Sequence, residues 1–137
     1  MANDEPDYYS VTKEVTMPDY FRAVGTGLLY AGSLSIPADT PLITPVSTTI
    51  TLVAGRIVAI TVKFAPGCHD MVGVRIKYGT TQIFPATADT WVYGDSESVK
   101  SGYDYPIDTS PYQLTVEGIS PGTTYAHKIQ VRVEMIT

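Results

Sequence analysis

The run Lys128-Ile129-Gln130-Val131-Arg132-Val133-Glu134-Met135 alternates polar or charged side chains with apolar ones, without a break. A period of two places Ile129, Val131, Val133 and Met135 on one face of an extended strand and the four polar residues on the other. One face of its sheet is therefore buried and the other is wet, which is the pattern of antiparallel sheets.

The same reading extends upstream. Val58, Ile60, Val62 and Phe64 alternate with Ile57, Ala59, Thr61 and Lys63, although this second face is only weakly polar. Val72, Val74, Ile76 and Tyr78 oppose Gly73, Arg75 and Lys77, while Ile50 and Leu52 interleave with Thr49 and Thr51. Tyr112, Leu114 and Val116 are opposed by Gln113, Thr115 and Glu117. Weaker strand signals lie near residues 12–17, 28–36, 81–84 and 103–107. Pro and Gly mark turns at Ala54-Gly55, Ala65-Pro66-Gly67, Tyr78-Gly79, Tyr93-Gly94-Asp95, Ser101-Gly102 and Ser120-Pro121-Gly122, since they set or permit turn angles. Nowhere do apolar residues hold helical spacing for three turns. The chain is predicted to be all-β, a two-sheet antiparallel β-sandwich in which each sheet covers the apolar face of the other. About eight strands point to a jelly roll; seven would suit an immunoglobulin-like arrangement, whose Cys and Trp hallmarks are missing.

At 137 residues, with 44% hydrophobic and 17% charged residues, the composition is that of a single packed domain with a surface rich in Ser, Thr and Tyr. The net charge is -5 and the nine basic residues are scattered singly along the chain from Lys13 to Arg132. A nucleic-acid or anionic-membrane partner needs concentrated positive charge, so neither is expected. No stretch approaches the ~18 uninterrupted apolar residues of a membrane helix, and the start, MANDEPDYY, does not read as a signal peptide. The lone Cys68 leaves no intrachain disulfide and no multi-cysteine zinc cluster.

Residues 1–25 differ from the sandwich domain expected over 26–137. Asp4, Glu5 and Asp7 cluster near Tyr8 and Tyr9, followed by Tyr20 and Phe21. An acidic, tyrosine-bearing arm of this kind either stays outside the core or orders on a neighbouring subunit. The alternative is that residues 11–17 form an edge strand of the same domain.

Reactive side chains are few. Cys68-His69-Asp70 follows the Pro66-Gly67 turn, but adjacent residues rarely converge on one point, and a nucleophile needs a base and an orienting group from other elements. Asp39, Asp89, Asp95, Asp104, Asp108 and Glu97 lie in loop-like sequence and suit turn capping better than calcium binding, because they lack EF-hand spacing. No phosphate loop or nucleophile elbow occurs. The expectation is a non-enzymatic protein with no catalytic residues, no cofactor and no metal. Phe84, Trp91, Tyr93, Tyr103, Tyr105 and Tyr112 gather in one third of the chain. Trp91, Tyr93, Tyr103 and Tyr105 are the candidates for an exposed aromatic end that meets a partner or stacks on a sugar. The plainer reading has the aromatic rings plugging the sandwich with the tyrosine hydroxyls in water.

The segments Ser35-Ile36-Pro37-Ala38-Asp39-Thr40-Pro41, Thr48-Thr49-Ile50-Thr51-Leu52, Phe64-Ala65-Pro66-Gly67, Gln82-Ile83-Phe84-Pro85 and Thr124-Tyr125-Ala126-His127-Lys128-Ile129-Gln130-Val131 occur in that order. In this order they resemble small β-sandwich, jelly-roll-like structural proteins of bacterial and archaeal viruses. The resemblance implies a virion component assembled in the host cytoplasm: a capsid decoration, penton, turret or fibre-associated subunit. It implies a homo-oligomer, trimer or pentamer, that also meets other virion proteins, and it carries over no functional residues; under this reading the N-terminal arm, with Tyr8, Tyr9, Tyr20 and Phe21, reaches a neighbouring subunit. Two alternatives belong to other classes: a carbohydrate-binding module using the aromatic end on a glycan, and a subunit of a cellular surface filament or layer.

Overall fold

A computed structural model describes residues 13–15 and 27–137, and every regular element among them is a strand. In chain order these are β1 (Lys13–Val15), β2 (Gly27–Ile36), β3 (Val46–Thr51), β4 (Gly55–Phe64), β5 (Val72–Tyr78), β6 (Thr81–Phe84), β7 (Val92–Gly94), β8 (Glu97–Ile107), β9 (Gln113–Ile119) and β10 (His127–Ile136). One sheet has the order β1-β2-β10-β4-β8; the other runs β3-β9-β5-β6, with β7 also paired to β5. All pairings are antiparallel. Among the described residues ten strands thus stand where about eight were expected; β1 lies within the weak signal near 12–17, and β7 is too short for a period to register. β1 falls inside the stretch read as an arm and pairs with β2. Tyr8, Tyr9, Tyr20 and Phe21 lie outside the described residues.

β10 occupies the middle of the first sheet, bonded to β2 on one side and β4 on the other. Its Ile129, Val131, Val133 and Met135 are all buried, as the alternation predicts. Across the sandwich they meet Val72, Val74 and Ile76 of β5 and Leu114 and Val116 of β9 in a single core. Full burial of each such side chain is worth about 1.5–3 kcal/mol. Two glycines let the packing close: a Cβ on Gly118 would come within 2.5 Å of Ile36 Cδ1, and one on Gly94 within 2.5 Å of Phe64 Cδ2.

Two expectations are corrected. Val58 was placed on the buried stripe of β4 and Ile57 on the other face; Ile57 is fully buried and Val58 only half-buried. The pairing with β10 slips between Glu134 and Met135, so Val58 is an extra residue in the ladder and the alternation changes phase there. The turn read at Ser101-Gly102 is the interior of β8, which continues to Ile107 and pairs with β4 along most of its length.

One end of the sandwich is closed by a polar latch between the β2–β3 and β9–β10 connections. Ser120 Oγ donates to Pro37 O at 2.7 Å and accepts from Thr40 N–H at 3.1 Å. Thr40 Oγ1 donates to the same carbonyl at 2.8 Å, and Ser120 N–H donates to Thr40 O at 2.9 Å. Asp39, at φ 55, caps the facing turn by accepting from Gly122 N–H at 2.7 Å. Ser120, Thr40 and Thr123 are buried, and buried polar groups are tolerated when bonded in this way. Ser120→Ala orphans Thr40 N–H and should cost about 1–3 kcal/mol, read as a lowered urea midpoint with an unchanged slope.

Candidate functional site

The four aromatic candidates separate into two pairs. Trp91 and Tyr93 belong to the outer face of the β3-β9-β5-β6 sheet. Tyr93 is opposite Gly73 in the β5–β7 ladder, and its ring fills the space a Cβ at Gly73 would need. Trp91 receives the Arg75 guanidinium, whose Cζ lies 4.2 Å from the ring centroid. Arg75 Nε also donates to Glu117 Oε1 at 2.5 Å, and Lys77 Nζ approaches the same oxygen at 3.6 Å. Cation–π contact and ion pair together hold the indole against the sheet. The loop that delivers Trp91 is organised by Gln82, whose Nε2 faces Pro85 O, Thr87 O and Thr90 O at 3.0, 2.8 and 3.0 Å, its two hydrogens shared among the three carbonyls.

Tyr103 and Tyr105, on β8, pack against the core and are half-buried. They belong to the sandwich margin, on the edge strand β8. Tyr103 donates its hydroxyl to Ile83 O at 2.7 Å, and burial pushes its pKa up. Tyr105 sets its ring edge-on to Tyr78, centroids 6.0 Å apart. Of the expected exposed quartet, only Tyr93 is open at 42%.

Pairing gathers charges that the linear sequence disperses. In the β2-β10-β4-β8 sheet, Thr61 of β4 stands between Arg132 of β10 and Lys100 of β8, and Lys63 between Gln130 and Ser98. With Lys128 this places four of the nine basic residues on one outer face, accompanied by Glu134, which pairs with Lys100 at 3.5 Å. The scatter along the chain hid this, because neighbours in a sheet are set by register and not by sequence distance.

The loop over 65–71 carries no exposed thiol. Cys68 is fully buried in the core. Its neighbours His69 and Asp70 sit at φ 50 and 57 on the surface. Asp95 holds the loop by accepting Gly67 N–H at 3.1 Å. Among the described residues no group of three or more His, Cys, Asp or Glu is placed to hold a metal ion. The acids are used locally: Asp39 caps a turn and Asp95 a loop, while Asp104, read as loop-like, lies within β8 and bonds Arg56 Nε at 2.5 Å, which lowers its pKa.

The edges of the sheets differ in protection. The edge strand β8 presents Glu97, Lys100, Asp104 and Pro106, and β6 has only four residues. β3, Val-Ser-Thr-Thr-Ile-Thr, has neither charge nor proline. It is flanked by exposed apolar side chains: Leu42 at 53%, Ile43 at 88% and Val53 at 41%. An edge of this composition presents unpaired backbone groups to any incoming strand.

No family model matches this chain, and no curated protein matches it. Among solved structures, the crystal structure of FlhE is similar over 81% of this chain and 96% of that chain, at 14% identity and a TM-score of 0.40. A protein of the Bacillus endospore appendages, which form a family of disulfide-linked pili, is similar over 82% of this chain and 89% of that chain, at 11% identity and a TM-score of 0.42. Both likenesses are too slight to carry function to this chain.

Two outcomes follow from the local geometry. Gln82→Glu turns an amide donor into an acceptor facing three carbonyls; it should cost about 1–3 kcal/mol and red-shift Trp91 emission as the loop opens. Burial, with Asp95 adding to it, raises the Cys68 pKa, so the folded chain favours the thiol over the thiolate. The stability this lends is complete below the ordinary thiol range and is lost as pH rises through and beyond it. Iodoacetamide at neutral pH should leave the native protein unmodified and alkylate it in denaturant.

Proposed function

We propose that this chain is a non-enzymatic structural subunit that works by assembling with copies of itself in a virion, as a decoration, penton, turret or fibre-associated protein. The observation that carries the assembly reading is the unguarded β3 edge. A soluble sandwich normally blunts its edges with charge, proline or brevity, and β8 and β6 follow that practice. β3 instead offers six uncharged residues between exposed Leu42, Ile43 and Val53, a composition suited to burial against a second copy.

We further propose that the sandwich is a jelly roll with β1 and β7 as additions. What supports it is the order β2-β10-β4-β8 in one sheet and β3-β9-β5-β6 in the other. The first and last of these eight strands lie side by side, and from one of the eight to the next the chain changes sheet at every step except β5 to β6. The virion setting rests on the resemblance of residues 33–135 to viral structural proteins.

Light scattering coupled to size exclusion, over a range of concentrations, tests the assembly. A trimer or pentamer is expected, reduced to monomer in an Ile43→Lys, Thr49→Lys double variant whose circular dichroism is unchanged. A wild-type protein that stays monomeric at every concentration, or a double variant that keeps the wild-type mass, sinks the β3 route.

A further inference from the structure

A groove of about 360 Å³ opens where the β5–β6 turn, the C-terminal half of β8 and the start of β9 come together. Its walls include Tyr78, Thr81, Tyr105, Ser110, Gln113 and Thr115. We propose that this groove binds a neutral, hydroxyl-rich ligand of the saccharide class.

The chemistry of the lining selects that class. No charged side chain lines the groove. The nearest acid in sequence, Asp108, is engaged by the Thr109 hydroxyl at 3.2 Å. An anionic ligand would meet no cation there and the field of a chain at net -5, and a cationic one would find no lining carboxylate. What the walls do offer is hydroxyl and amide groups, each able to donate and accept. The side chains of Thr80, Thr81, Ser110, Gln113 and Thr115 make no hydrogen bond to another described residue, so their donors and acceptors are open to a ligand. A sugar ring presents the same kind of group around its rim and an apolar C–H face, for which the Tyr78–Tyr105 pair supplies aromatic surface. A few converging polar groups beside an aromatic wall is the usual build of a small-ligand site.

The groove is also held in shape. Tyr78 Oη accepts from Thr109 N–H at 3.0 Å and donates to Thr109 O. The β8–β9 loop is thereby tied to the end of β5, 31 residues away in sequence. Tyr105 is braced by its edge-on contact with Tyr78 and by packing on the core. Walls fixed before binding reduce the ordering cost that weakens small polar ligands.

The site is distinct from the Trp91 and Tyr93 surface; of the four aromatic residues that the sequence offered for sugar stacking, Tyr105 lines it. It also does not depend on the β3 edge, so it stands or falls apart from the assembly reading. The test is a titration of ¹⁵N-labelled protein, followed by amide NMR, with the methyl glycosides of glucose, galactose, mannose and N-acetylglucosamine. Each is taken to about 10 mM, enough to approach saturation of a Kd of ~1 mM. At least one should give saturable shifts confined to residues 78–81, 105 and 109–115. Gln113→Ala, at an exposed position, should weaken that binding by about five- to tenfold, the loss of one hydrogen bond, and Gln113→Arg should abolish it by introducing charge and bulk. Failure of all four glycosides to give saturable shifts overturns the proposal. So do shifts centred on Trp91 and Tyr93, shifts indifferent to Gln113→Arg, or tighter binding of the anionic sialyllactose than of any neutral glycoside.

Discussion

Burial of one face of β10 is the constraint on which the rest of the sandwich depends. Ile129, Val131, Val133 and Met135 are inside while Lys128 and Gln130 are exposed, and β2 and β4 pair with this strand from either side. A slip of one residue in β10 would carry Lys128, Arg132 and Glu134 into an apolar core. Burying unpaired charges costs far more than any ladder bond returns. The register of β10 is therefore fixed by its own side chains, and those of β2 and β4 follow from it. The Val58 bulge meets the one place where that order conflicts with local sequence, since both Ile57 and Ile60 must face inward although they are three residues apart. An extra residue in the ladder changes the phase and lets both be buried.

Much of this was legible from the residues alone, because the information lies in alternation. The strands β2, β5, β6, β9 and β10 fall where their apolar periods or strand-forming composition put them, and Leu114, Val116, Val72, Val74 and Ile76 are buried as their phase requires. The bulge was hidden because Ile57, Val58, Ala59 and Ile60 are all apolar, so hydropathy there has no phase to read. The first half of β8 was hidden for another reason, since only 103–107 read as strand. It is an edge strand with a strongly exposed pattern, and Ser101-Gly102 carries turn chemistry that the ladder to β4 overrides.

The candidate site was legible in residue type and not in place. Trp91, Tyr93, Tyr103 and Tyr105 are close in sequence, yet they divide between an outer sheet face and the sandwich margin because β7 and β8 belong to different sheets. Lys63, Lys100, Lys128 and Arg132 do the reverse, far apart in sequence and brought onto one face by cross-strand register. Tyr78 and Tyr105 become partners only because the end of β5 lies beside that of β8. Contacts of this order are decided by strand order and register, which no single segment encodes.

The geometry of a sheet keeps its edge and its faces chemically independent. A strand added at β3 would be held by backbone N–H and C=O groups that lie in the plane of the sheet. The side chains of Gln113 and Thr115 in the adjacent β9 stand roughly perpendicular to that plane. Extension of the sheet beyond β3 therefore leaves the outward side chains of β9 where they are, and the groove they help to line stays open. Its far wall, the β8–β9 loop, is tied to Tyr78 of β5 through Thr109, and Leu52, just past β3, holds Tyr112 O of the same loop by its backbone N–H at 2.7 Å. One sandwich of this kind can thus join copies of itself along an edge while it presents a small polar groove on the outside. That separation is open to a strand sandwich because its backbone bonds and its side chains point along different axes.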